Sequence, residues 1–70
     1  MMPGVQTDDI IARRVNDAYE IRQRLERGEM TLEGGPYAYD EAVRRTRALA
    51  RNHRSIAWIE DSDGTLTMLP

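Results

Sequence analysis

The chain contains no cysteine, no lysine and no phenylalanine, and its longest uninterrupted apolar run is Ile56-Ala57-Trp58-Ile59. Each absence excludes something. Without cysteine there is no disulfide framework, zinc knuckle or thiol nucleophile. A four-residue apolar run is far short of the roughly 20 residues that cross a bilayer as a helix. Asp8, Asp9, Arg13 and Arg14 interrupt the apolar stretch that a secretory signal needs, so a cytoplasmic location is expected by default. Arginine alone carries the positive charge, ten residues against twelve Asp and Glu, for a net −2. Arginine without lysine fits either a coding bias or a demand for planar guanidinium groups at carboxylates and phosphates.

Seventy residues allow one domain. Of the 28 apolar residues seven are alanine, and setting aside Met1 and Met2 leaves 19 larger apolar side chains for a core. Chains of this size obtain only about 3–5 kcal/mol from a single core, and oligomerisation is a common remedy. A homodimer or a firmly held protein partner is therefore expected.

Residues 1–6 show no periodicity and read as a frayed start to a single domain over residues 1–70. Ile10, Ile11, Val15, Ala18, Tyr19, Ile21 and Leu25 fit helical spacing behind Thr7 as N-cap. Arg27-Gly28 supplies a basic last turn and a terminating glycine, so a first helix is predicted over 8–27. Residues 29–32 alternate like a short edge strand, and Gly34-Gly35-Pro36 reads as a turn. A second helix starts near Asp40, with Ala42, Val43, Thr46, Leu49, Ala50 and His53 on one side. Period-two segments at 55–60 and 65–69 then flank the turn signal Asp61-Ser62-Asp63-Gly64. The expected fold is α+β: two amphipathic helices on a small antiparallel sheet, in the order α-(β)-α-β-β. Tyr39 to Leu66, with Ala42, Leu49 and Ala50 in the helix and Asp63-Gly64 in the turn, resembles the helix-plus-hairpin half of small ββαββ domains. The resemblance covers under half the chain. Those domains begin with a hairpin, where a helix is predicted here.

Charge is unevenly placed. Residues 7–29 hold five Arg and six acids, net −1; residues 40–54 hold five Arg and two acids, net +3. Glu33, Glu60, Asp61 and Asp63 make up the rest, which gives the hairpin an acidic tip. On the first helix Asp9–Arg13, Arg13–Asp17 and Glu20–Arg24 would offset one another at i,i+4. On the second, Arg44, Arg47, Arg51 and Arg54 fall within an arc of about 80° at 100° per residue, with no such partners. The stripe reads as a solvated face, as a surface for an acidic protein or a second copy, or as a phosphate-binding strip. The chain's negative net charge weighs against the last.

A two- or four-residue turn would put Ala57, Ile59, Leu66 and Met68 on one side of the hairpin. Ile56, Trp58 and Leu69 would lie on the other. If both helices cover the first side, Ile56, Trp58 and Leu69 remain for a partner, and Trp and Arg are typical interface anchors. Arg22, within the apolar arc of the first helix, either snorkels outward or pairs with a buried acid.

No catalytic constellation emerges. His53 is the sole histidine and is expected at the core boundary; Ser55 lies two residues away and cannot face it. Asp61–Gly64 lacks the later glutamate of a calcium loop. Gly34-Gly35-Pro36 lacks the Lys-Ser/Thr of a phosphate loop. No metal or other cofactor is expected. The functional expectation is a non-catalytic protein that docks on and occludes a partner protein through Arg44, Arg47, Arg51, Arg54, Ile56, Trp58 and Leu69. Such a protein suits a phage or mobile-element inhibitor of the anti-CRISPR type, or an accessory subunit. The alternatives are a nucleic-acid binder using the Arg stripe and a structural homodimer subunit.

Overall fold

The computed structural model describes residues 4–70; part of the frayed start expected at residues 1–6 lies outside them. The architecture differs from the two-helix expectation. Five strands and one helix follow in the order β1 (Ile10–Val15), β2 (Ala18–Arg24), β3 (Glu29–Tyr37), α1 (Tyr39–Asn52), β4 (Ala57–Glu60) and β5 (Leu66–Met68). The strands form one mixed sheet in the order β3-β2-β1-β4-β5. β1 and β4 run parallel and every other neighbouring pair antiparallel.

The predicted first helix is the β1–β2 hairpin. The apolar residues of 10–25 fit a helical period by coincidence: β1 has a run of three buried residues, Ile10, Ile11 and Ala12, and β2 alternates. In β2, Tyr19, Ile21 and Gln23 are buried while Ala18, Glu20, Arg22 and Arg24 are partly exposed, which is a period of two. The chain reverses at Asn16-Asp17, between the paired Val15 and Ala18. Asn16 sits at φ 59°, a left-handed conformation that asparagine tolerates better than most residues. Thr7 therefore caps nothing, and Gly28 (φ 82°) serves the β2–β3 turn, where Leu25 N–H donates to the Gly28 carbonyl. The N-terminal half is thus a hairpin followed by a third strand, β3, before the helix.

Gly34-Gly35-Pro36 is likewise not a turn but lies inside β3, where the pairing with β2 shifts register. A Cβ on Gly35 (φ 71°) would come within 2.8 Å of the Tyr19 carbonyl oxygen, so only glycine fits there. α1 forms where the second helix was expected, but Ala38 occupies the N-cap position and makes no side-chain cap. Asp40 and Glu41 fall in its first turn instead, where acids suit the helix dipole.

α1 lies on one face of the sheet. Its Ala42, Thr46 and Ala50 are buried there, and such small side chains allow close approach to the strands. Ile10, Ala12, Tyr19, Ile21, Ala57 and Ile59 form the facing layer, with Leu32, Tyr37, Leu49 and Leu69 around them. Ile10, Ile11, Ile21 and Ile59 are fully buried, each contributing about 1.5–3 kcal/mol.

Among the described residues no helix covers the opposite face, yet Ile11 and Trp58 on it are buried. Asp9, 3 % exposed, fixes this region. One carboxylate oxygen accepts from Trp58 Nε1–H (2.9 Å) and from Gln6 N–H, and the other from Ile56 N–H (3.0 Å). Beyond them runs a sheet of ion pairs. Arg13 bonds Glu29 and reaches Glu60 at 3.5 Å. Arg22 bonds Glu20 at 2.9 Å, and its Nε lies 3.1 Å from Glu29 but off hydrogen-bonding angle. Arg22 is thus paired, but with partly exposed acids rather than a buried one, and on a strand rather than a helix. The expected i,i+4 pairs of the first helix do not form; Arg13 reaches across strands instead.

Candidate docking surface

The outward side of α1 carries Arg44, Arg47 and Arg51, all exposed. They differ in their neighbours. Arg44 pairs with Glu41 one turn earlier, a partner the sequence reading had not assigned to the stripe. Arg45, next to the stripe, bonds Glu41 and Glu33 and stacks 4.6 Å above the Tyr37 ring. These two guanidinium groups hold the Glu41 carboxyl below its usual range, Arg44 contributing most. Arg47 and Arg51 make no ion pair among the described residues.

Arg54 does not continue the stripe. The helix stops at Asn52, and Arg54 follows in a left-handed conformation (φ 53°) with its N–H on the Arg51 carbonyl. His53 is also displaced from its expected place. It is the exposed C-cap residue rather than a core-boundary histidine, because the helix ends before its side chain can turn inward.

A shallow depression runs along the outer flank of α1, lined by Tyr39, Asp40, Val43, Arg44, Arg47, Ala48 and Arg51. Tyr39 is 53 % exposed and rests edge-on against Tyr19, ring centres 5.9 Å apart. Tyr39 and Val43 were not among the sequence candidates. Their signal was present, since Tyr39, Val43 and Arg47 recur every four residues along the helix.

A second depression lies between the last turns of α1 and the end of the β4–β5 hairpin. It brings together four of the sequence candidates, Arg47, Arg51, Ile56 and Leu69, with Met68 and Pro70 beside them. The third apolar candidate is elsewhere. Trp58 is 5 % exposed and points away from the helix, with its indole N–H bound to Asp9. It is an internal packing residue and does not join this surface. Leu69 also separates from Trp58: it packs with the helix-side core.

The hairpin loop explains the separation. Asp61 and Thr65 close it through Asp61 N–H to the Thr65 carbonyl, leaving Ser62, Asp63 and Gly64 as a three-residue loop with Gly64 at φ 87°. That is a type I turn followed by a left-handed glycine. An odd loop length slips the register by one relative to a two- or four-residue turn and flips the second strand. Met68 therefore pairs with Trp58, and Thr67 with Ile59.

Nothing in this surface presents a nucleophile beside a base, and among the described residues no three acidic or histidine side chains cluster to hold a metal ion. Among the described residues, no helix is long and apolar enough to cross a membrane. The arrangement offers cationic planar groups beside aliphatic and aromatic carbon. Compared with protein families, with curated proteins and with solved structures, the chain matches none.

Proposed function

We propose that the chain is a non-catalytic protein-binding domain that docks through the outer flank of α1 on an acidic surface of a partner protein and occludes it. The observation that carries this reading is the juxtaposition of exposed Tyr39 and half-buried Val43 with Arg47 and Arg51, two guanidinium groups that have no acidic partner among the described residues. Tyrosine and arginine beside aliphatic carbon are the combination from which interface anchors are usually drawn. The Arg charges steer an acidic partner toward the flank, and desolvated Tyr39 and Val43 hold it. A role as an inhibitor or as an accessory subunit fits this mode of action.

The test uses two immobilised proteins, the wild type and Tyr39→Ala/Arg47→Glu, exposed to a displayed library of random peptides. Acidic peptides with aliphatic or aromatic residues should be enriched on the wild type by at least about tenfold over the variant, about 1.4 kcal/mol. Equal recovery on both would overturn the reading. A parallel mobility-shift assay with duplex and single-stranded DNA at two salt concentrations addresses the phosphate alternative. A shift that collapses with salt would transfer the Arg flank to nucleic acid.

A further inference from the structure

The sheet has two free edges, and they are not alike. The β3 edge contains Pro36, which has no N–H to offer, and its pairing with β2 is broken by register shifts. Prolines and bulges of this kind block strand addition. The β5 edge has neither: Leu66, Thr67 and Met68 form a regular ladder with β4.

The direction of the free backbone groups on β5 follows from the bonds already made. Asp61 N–H donates to the Thr65 carbonyl and Leu69 N–H to the Ala57 carbonyl. Antiparallel pairing alternates, so Thr65, Thr67 and Leu69 turn their backbone groups toward β4. Leu66 and Met68 therefore turn their N–H and C=O groups outward, to the free edge.

Charge is segregated along the same edge. Glu60, Asp61 and Asp63 stand at the hairpin tip. Arg51 stands at the other end, beside Ile56, Leu69 and Pro70, and Arg54 lies between it and Ile56 in the chain. The edge is thus acidic at one end and basic at the other.

From this geometry we infer that β5 is a dimerisation edge whose occupant is the β5 strand of a second copy of this chain, paired antiparallel about a two-fold axis through Thr67. In this arrangement Leu66 of each copy faces Met68 of the other, and each such pair exchanges two backbone hydrogen bonds. The acidic tip of each copy lies beside the basic end of the other, so the contact is self-complementary, as a two-fold interface requires. A parallel pairing would set like charges side by side. The axis stands perpendicular to the sheet, so both α1 helices lie on the same face of a continuous ten-stranded sheet. The inference does not depend on the docking role of the outer helix flank.

Sedimentation equilibrium across protein concentration should show the mass rising to twice 8.0 kDa, and added salt should weaken the association. Amide exchange should slow at Leu66 and Met68 as concentration rises, with no change along β3. Arg51→Glu/Arg54→Glu makes both ends acidic, and Asp61→Arg/Asp63→Arg makes both basic. Each variant alone should associate at least about tenfold more weakly, and an equimolar mixture should regain a dimer containing one of each. Far-UV circular dichroism checks that both fold. Because Asp61 and Asp63 also bond Thr67 and Thr65 within the turn, the exchange measurement and the Arg variant decide the matter should the Asp variant fail to fold. A monomer at every concentration overturns the inference, and so does a dimer in which Leu66 and Met68 exchange as they do when dilute. Two folded variants that fail to associate when mixed overturn the antiparallel arrangement.

Discussion

The two faces of the sheet are kept from water by different means. On one face α1 lays alanine and threonine against Ile10, Ala12, Ile21 and Ile59, and hydrocarbon meets hydrocarbon. On the other, Ile11 and Trp58 are buried without a second layer of secondary structure. Asp9 ties the N-terminal segment, the β4 start and the indole together, and Arg13 and Arg22 form carboxylate pairs beside them. A small chain with one helix can thus protect both sides of a sheet, using dispersion and hydrophobic burial on one and hydrogen-bonded charge on the other. The two mechanisms should differ in magnitude, salt sensitivity and pH response.

The sharpest way to break the helix-covered face is Ile21→Ala. Ile21 is fully buried between β1, β3 and α1, so the cavity should cost about 2–5 kcal/mol. That is comparable to the whole stability expected at this length, and urea denaturation should show partial or complete unfolding at 25 °C. On the other face Asp9→Ala should come next, at about 2–3 kcal/mol. It strands the Trp58 N–H and the Ile56 N–H in a buried site. Asp9→Asn, which keeps the Oδ1 acceptor, should recover part of this loss. Trp58 fluorescence reports both variants, with a red shift where water reaches the indole.

Glu29→Gln probes the ion pairs and should have the smallest effect, about 0.5–1 kcal/mol, diminishing in added salt. It also tests a pH signature. The hydrogen bond from Arg13 is the main reason the Glu29 carboxyl sits below its ordinary value of 4.5. A depressed carboxyl contributes stability above the unfolded value and loses it as pH falls toward the folded one. Arg13 is shifted the opposite way by the same bond, upward, so its contribution is constant across the working range. Denaturation midpoints of the wild type should therefore decline as pH drops below about 4.5, and Glu29→Gln should flatten that decline. Ile21→Ala should leave the slope unchanged, since it removes no titrating contact.

Parts of this molecule were legible in residue order, and the illegible parts share a cause. The helix at 39–52 and the hairpin turn at 61–65 rest on local signals: one apolar face every three to four residues, and an Asp-Ser-Asp-Gly turn. Residues 10–24 misled because Ile11, Val15, Ala18 and Tyr19 satisfy a helical period while Tyr19, Ile21 and Gln23 satisfy a strand period. The Asn16-Asp17 reversal, which decides between them, resembles any polar pair on a helix face. The docking residues divided in the same way. Arg44, Arg47 and Arg51 share a helix face from spacing alone, whereas the burial of Trp58 depends on Asp9, 49 positions away in the chain. Leu69 changed faces because a three-residue loop replaced an even one.

Sequence alone determined the short-range properties: a stretch of chain without cysteine chemistry, an amphipathic helix with a basic flank, a hairpin with an acidic tip, and charge segregated between them. Tertiary structure decided everything that requires distant segments to meet. It placed β4 parallel to β1, turned the N-terminal segment into strands, gave Arg13 and Arg22 their carboxylates and hid the tryptophan. The physical reason is that a strand cannot satisfy its own backbone. A helix closes its hydrogen bonds within a few residues, so its face can be read locally. A strand takes its partners, its register and its buried side from chain elsewhere, and only the folded sheet supplies them.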